Sequence, residues 1–187
     1  DELAVSEICL KTAASGEDAT DLYSRADLPG LVWAVPYIFF QPECCFVAEL
    51  EEEVVGYIVT CANTRDYERW LNANWNNEFE ARLSGFTSNT DADKNAITAA
   101  RSHLHGAPSY ADEFPAHLHI NLLPKAQGTG LGRRLIEAAE NQLRNAGAKG
   151  LHLGVSPTNV RAIGFYNAMG FHKLENAEGY VMAKTLI

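Results

Sequence analysis

Basic charge is scarce in this sequence: 15 Lys and Arg stand against 24 Asp and Glu, a formal net charge of −9. Without a dense Lys/Arg surface to displace counterions, broad binding to nucleic acid is excluded, and no nucleic-acid partner is expected. Long apolar runs are missing too. The longest, Leu31–Phe40, is interrupted by Pro36 and falls far short of the ~20 residues of a membrane-crossing helix, so no membrane partner is expected. Asp1-Glu2-Leu3 opens no basic, then apolar, export signal, which points to a cytoplasmic location. The four cysteines (Cys9, Cys44, Cys45, Cys61) form no C-x-x-C pair, and His103, His105, His117 and His119 show no H-E-x-x-H spacing. Neither a zinc site nor a thioredoxin-type motif is present; no metal is expected, and the thiols read as reduced core residues.

What remains is an ordinary globular composition, 187 residues with 47% hydrophobic and 21% charged. A chain of this length buries ~70% of its unfolded surface and needs no staple, so residues 1–187 read as one domain. The acidic balance is compatible with a cationic substrate.

Along the chain, Val5–Leu10 reads as a first strand and Ala19–Ala26 as a helix broken by Asp27-Leu-Pro-Gly30. Cys44–Leu50 and Val54–Cys61 read as a hairpin whose Glu51-Glu52-Glu53 connection is a solvated turn rather than a cation site. In residues 64–114, Tyr67, Trp70, Leu71, Trp75, Phe79 and Leu83 recur at helical steps. A second helix there starts at Asp91 as N-cap, carries Ala96, Ile97, Ala100 and Leu104 on one side, and ends at Gly106 and Pro108. The aromatics read as core, with a ligand groove at Trp70 and Trp75 as the competing reading. Then follow a strand at Ala116–Leu123, a helix at Gly130–Ala146, a strand at Lys149–Val155, a helix at Asn159–Met169, and short strands at Phe171–Leu174 and Tyr180–Leu186. The order is that of an α/β domain with helices on a sheet.

Chemistry concentrates where the strand ending Leu122-Leu123-Pro124 runs into Gln127-Gly128-Thr129-Gly130-Leu131-Gly132-Arg133-Arg134. Glycines let consecutive N–H groups turn toward one point, and the first-turn amides of the following helix lack internal partners. Together they form a socket for a diphosphate, to which Arg133 or Arg134 could add a charge-assisted bond. The loop fits neither G-x-x-x-x-G-K-[ST] nor G-x-G-x-x-G. Downstream, Asn159 caps a helix on which Ala162 is small and Tyr166 lies one turn later on the same face, and Gly170 stops it.

Q-x-x-G-x-G after Leu-Leu-Pro resembles the acyl-coenzyme A loop of the GCN5-related N-acetyltransferase (GNAT) superfamily. Asn159-Val-Arg-Ala162-Ile-Gly-Phe165-Tyr166-Asn-Ala-Met-Gly170-Phe171 resembles its second signature at every position. The resemblance implies a single GNAT-type domain: a mixed, mostly antiparallel central sheet flanked by helices, with a helical insertion (64–114) between strands 3 and 4 and an acyl-CoA-binding core at 115–171. Thr64-Arg-Asp-Tyr-Glu-Arg-Trp70, Trp75 and Phe114-Pro-Ala-His-Leu-His-Ile-Asn-Leu-Leu-Pro124 look like acetyltransferases related to the C-terminal domain of O-GlcNAc hydrolases. Some of that group are thought to be pseudo-enzymes with decayed cofactor loops, whereas Gln127, Gly128, Gly130 and Gly132 are intact here.

The implied cofactor is acetyl-coenzyme A, held by Leu122, Leu123, Gln127, Gly128, Thr129, Gly130, Leu131, Gly132, Arg133, Asn159, Ala162 and Tyr166. The implied reaction is direct attack of an amine on the thioester, with Tyr166 protonating the departing sulfur. His117, His119 and Asn121 alternate on one strand face, so either imidazole could be the base, although a bulge expected on this strand would flip the parity. Asp66, Asp112 and Glu113 are reserve bases, and Pro36, Tyr37, Asp66, Tyr67 and Tyr110 are candidates for the acceptor side. A non-catalytic acyl-CoA-binding or protein-interaction domain is the alternative; the acceptor amine and oligomeric state are not legible.

Overall fold

A computed structural model describes residues 1–101 and 106–186, so Leu104, His103 and His105 lie outside the described residues. The first segment is a helix, α1 (Glu2–Leu10), and not the expected strand. Val5, Ile8 and Cys9, three and four residues apart, are all buried, and that period outweighed the β-branched composition. Ala19–Ala26 is not a helix either: one 3₁₀ turn, Thr20–Leu22, is held by Asp18, which accepts from the Thr20 amide at 2.8 Å. The Leu-Pro-Gly segment opens α2 (Leu28–Trp33), and Pro36 sits in the first turn of α3 (Val35–Phe40). A first-turn proline removes only an N–H that has no partner there. Gly30 packs against α1 where a Cβ would collide with Ser6 Oγ.

β1 (Cys45–Leu50) and β2 (Glu53–Cys61) form the hairpin, joined by Glu51 and Glu52 at φ 51° and 65°, a two-residue turn of the kind that matches strand twist. α4 (Thr64–Trp70) continues through one wider turn, Leu71–Trp75, into α5 (Asn76–Arg82), keeping Tyr67, Leu71, Trp75 and Phe79 on the buried side. α6 (Asp91–Ala100) is capped by Thr90 rather than Asp91, in a capping box with Asp93. Because the chain opens with a helix, these helices fall between the second and third strands, not the third and fourth.

The remaining elements are β3 (Ala116–Leu122), α7 (Leu131–Asn145), β4 (Gly150–Gly154), α8 (Val160–Ala168), β5 (His172–Lys173) and β6 (Val181–Thr185). The six strands order as β1-β2-β3-β4-β6-β5, antiparallel throughout except for β3 beside β4. One core, built from Leu118, Leu135, Ile136, Leu143, Leu151 and Met182 among others, packs α7 and α8 onto one face. A second, with Val5, Leu31, Tyr37, Tyr57, Tyr67 and Trp75, packs α1 to α5 onto the other.

Two features of the sheet position the site. β2 and β3 pair without a break from Gly56↔Leu122 to Cys61↔His117, so the expected bulge is absent from β3; the register shift lies between Ala48 and Glu49 on β1. β3 and β4 pair only at Ala116↔Leu151 and His117↔His152. Beyond that point the parallel strands diverge, leaving main-chain polar groups that must find partners elsewhere.

Candidate active site

A cleft of about 720 Å³ opens where β3 and β4 part, walled by residues 118–122 on one side and 153–156 on the other. Leu123 N–H donates to Val55 O at 2.8 Å. Main-chain groups alternate sides along a strand, so those of Asn121 and His119 also point at β2, while those of Leu118, Ile120 and Leu122 point toward the divergence. Leu123 therefore spends its amide on β2, and its side chain packs in the opposite core rather than along the cleft.

At one end of the cleft the glycine loop turns into α7. Gly128 and Gly130 have φ of 76° and 87°, conformations that glycine adopts without steric cost, and the space where their side chains would stand is empty. Gln127 Nε2 donates to Leu122 O at 3.0 Å, and Thr129 Oγ1 donates to Ala126 O at 2.7 Å, which fix the loop from both ends. Arg134 is the first amide to bond back into the helix, to Gly130 O. Among the described residues, no carbonyl accepts from the amides of Gly128 through Arg133, and only a long 3.5 Å approach to Thr129 Oγ1 touches Leu131 N–H. Gln127, Gly128, Gly130, Gly132 and Arg133 line the cleft, whereas Thr129 and Leu131, expected on the cofactor from the sequence, are not among its lining residues. A Cβ on Gly132 would press on the Phe165 ring at 3.3 Å, so this glycine sets how closely α7 and α8 approach.

α8 forms the next stretch of wall. Asn159 Oδ1 accepts from Ala162 N–H at 3.0 Å, and Ala162, Phe165 and Tyr166 face the cleft. A tight turn at Ser15 and Gly16, both at positive φ, closes over Asn159 and Arg161 and roofs the middle of the cleft. Among the described residues the Tyr166 hydroxyl has no hydrogen-bond partner, and burial pushes its pKa well up, so it stays protonated throughout the neutral range.

The far end is assembled from Cys9, Thr12, Trp33, Tyr57, His119 and Asn121. Asn121 Nδ2 donates to Thr12 Oγ1. The two strand histidines, on one face as their spacing requires, differ in circumstance. His119 opens on the cleft with no hydrogen-bond partner among the described residues, and burial lowers its pKa to about 4. His117 is boxed in. Its Nδ1 lies 2.8 Å from Thr64 Oγ1 and its Nε2 2.6 Å from Tyr37 Oη. The single Thr64 hydroxyl proton goes to Pro115 O at 2.8 Å, so His117 Nδ1–H donates to Thr64, and Nε2 accepts from Tyr37. Burial first, and then the repulsion a proton here would meet from protonated His152 or His119, pushes its pKa well down and holds it neutral.

Of the other candidates, Asp112 pairs with Arg65 at 2.8 Å and Asp66 with Arg69, and both, like Glu113, are exposed and away from the cleft. Tyr37 and Tyr67 stack at 4.4 Å within the core, Trp70 and Trp75 are core as well, and Pro36 and Tyr110 do not reach the cleft. Among the described residues no cluster could hold a metal, and no helix is long and apolar enough to cross a membrane. Sequence reasoning missed Trp33, Tyr57, Cys9 and Ile120; strand parity could have found Ile120, but nothing local marks the others.

Residues 14–171 match the Acetyltransferase (GNAT) family. The crystal structure of SsHAT superposes with a TM-score of 0.91 at 28% identity, covering 100% of this chain and 94% of that one. Salmonella typhimurium yncA, solved with its cofactor acetyl-CoA, shares the fold at a TM-score of 0.54 and 15% identity, over 100% of this chain and 91% of that one. Protein O-GlcNAcase of Rattus norvegicus is 20% identical over 183 residues, 96% of this chain. The chain spans only 20% of that relative's length.

Proposed function

The chain belongs to the GNAT acetyltransferase family, and we propose that it transfers an acetyl group from acetyl-coenzyme A to an amine. One observation carries the reading: the run Gly128–Arg133, whose amides have no carbonyl acceptor among the described residues, contributes Gly128, Gly130, Gly132 and Arg133 to the same cleft that Tyr166 and His119 line. A diphosphate fits such a socket, because it supplies acceptors where the chain has only donors at the positive end of a helix. Arg133 and Arg161 flank it with charge. The main chain of Ile120 and Leu122 has spare polar groups for an amide-bearing arm laid along the diverging strand.

When bound, the coenzyme supplies a thioester as the electrophile. The chain's residues do the rest. The socket and strand orient, a contribution that grows with the precision of placement. Phe165, Leu153 and the Ser15–Gly16 roof exclude water. Tyr166 holds a proton at Oη for the departing sulfur, and neutral His119 takes the proton that the amine sheds. Leu123, whose amide is committed to β2, is left out of this assignment, and so is His117. The four cysteines are free thiols, which agrees with a reducing compartment such as the cytoplasm.

Calorimetry with acetyl-coenzyme A and a thiol-release assay across amines, lysine peptides and amino sugars test the proposal. Micromolar binding followed by thiol release on at least one acceptor is expected. A folded protein that ignores the cofactor ends it, and binding without release on every acceptor reduces the chain to a binding module.

A further inference from the structure

The acceptor end of the cleft has no carboxylate. Although the chain carries nine more acidic than basic residues, none of the cleft-lining residues among those described is Asp or Glu; the lining cations are Arg133, which follows the glycine loop, and Arg161, beside Gly16. Trp33 and Tyr57 give the acceptor end aromatic walls. The Tyr57 hydroxyl is wholly buried with no hydrogen-bond partner among the described residues, an unmet polar group in that wall. Resting on the acetyl-transfer reading, we infer that the acceptor is a primary amine of low basicity on an apolar body, entering uncharged, and that lysine side chains and polyamines are excluded.

The reasoning is one of charge and burial. An ammonium drawn into this end would lose its hydration and gain no counterion. Tyr37 from α3 and His117 on β3 lie beside His119, and the other polar and titratable groups that share the cleft with it include Cys9 from α1, Tyr57 from β2, Asn121 on β3, Tyr166 from α8, Arg133 and Arg161. At neutral pH none is an anion: burial lifts the Cys9 thiol to about 11 and both Tyr57 and Tyr37 well above the usual phenol value. His119, lowered to about 4, is too weak a base to strip an ammonium before it binds. The amine must arrive neutral. At pH 7 roughly one lysine-type amine in 2,500 is neutral, against roughly one in ten for an α-amine near pKa 8, so the site favours weak bases by about two orders of magnitude.

The test uses 2-phenylethylamine and its β-fluoro and β,β-difluoro analogues, matched in shape and falling in basicity, with Nα-acetyl-lysine amide and spermidine as strong bases. Binding to the protein–coenzyme A complex is measured by calorimetry between about pH 6 and about pH 9, where the affinity of the parent amine should rise about tenfold per pH unit and that of the difluoro analogue should stay nearly level. Fluorine also weakens the nucleophile, so binding, and not turnover alone, decides. Asn121→Asp, which sets a carboxylate at the acceptor end and gives up the amide from which Thr12 Oγ1 accepts, should strengthen parent-amine binding about tenfold near pH 7 and flatten its pH dependence. Parent-amine affinity that is level with pH in the unmodified protein overturns the inference, as does binding of spermidine or the lysine derivative as tight as that of the difluoro analogue near pH 7. Selective binding of neutral amines with no thiol release sustains the inference and fails the transfer reading; thiol release with charged amines does the reverse.

Discussion

On one face of the sheet α7 and α8 enclose a cofactor end made mostly of main chain, and on the other α1 and α2, backed by α3 to α5, raise an acceptor end made of side chains. The amides of Gly128–Arg133 and the strand groups of Ile120 and Leu122 need only backbone, which any chain possesses once glycine or strand divergence uncovers it. The acceptor end draws Cys9, Trp33, Tyr57 and His119 from four elements spread over more than half of the chain. Grip at the first end is insensitive to most substitutions other than those at glycine. Selectivity at the second can be rewritten residue by residue.

Substitutions that strike one end alone break this comparison most sharply. Tyr166→Phe removes the proton held over the cleft and nothing that holds the fold, so kcat should fall by ~10²–10⁴. Acetyl-coenzyme A affinity by calorimetry should move less than about threefold, since the phenol offers no diphosphate contact. Equal turnover would remove the general-acid role. Gly130→Asp acts at the other extreme. It places a carboxylate in the open space of the socket and a side chain at φ 87°, and should weaken cofactor binding by at least about 100-fold with the circular dichroism spectrum retained.

The two strand histidines sharpen the comparison further, because they share a face and differ only in company. His119→Gln should lower kcat/KM by roughly 10- to 100-fold and abolish an acid limb near pH 4, the value to which burial lowers this imidazole. The sign follows from a base that is protonated, and inactive, below that pH. His117→Ala should leave the limb in place and cost stability instead, about 1–3 kcal/mol, by taking away the acceptor of the buried Tyr37 hydroxyl. A melting point lower by a few degrees with near-normal kcat/KM is the expected pair of results.

The same contrast explains what was legible beforehand. The glycine loop and the segment Asn159–Phe171 could be read because each local backbone requirement, a positive φ or a helix cap, leaves its residue type in place. The hairpin and the helical face Tyr67–Phe79 were legible from periodicity. Val5–Leu10 was misread as a strand because Val and Ile outweighed their three-residue spacing, and Pro29 and Pro36 were read as breakers where they begin helices. The β1 register shift is a tertiary matter, and so is the choice between His117 and His119, which depends on Thr64 and Tyr37 folding over one and leaving the other bare. Trp33 and Tyr57 carried no local mark, since nothing near them in the chain announces that α2 and β2 will meet the end of a cleft.

The smallest effect is expected where the acceptor-side helices are stitched together away from both ends. Asp93, fully buried at the start of α6, accepts from Ser24 Oγ at 2.6 Å, Ser24 N–H at 3.1 Å and the amides of Asn89 and Thr90 at 3.0 Å each. Burial raises its pKa, but these donors outweigh that and bring it down to about 2. A depressed carboxyl contributes stability that is complete above its unfolded value near 3.9 and is lost as pH falls toward 2. Asp93→Asn keeps the shape but turns an amide toward donors, and should cost about 1–2 kcal/mol in urea unfolding at neutral pH. The gap between the two proteins should narrow as the pH drops from about 4 toward about 2, while cofactor affinity stays unchanged at neutral pH. A gap that persists undiminished in acid would mean that Asn89, Thr90 and Ser24 hold this corner without the charge, and that the two ends of the cleft are less independent of their scaffolding than the geometry implies.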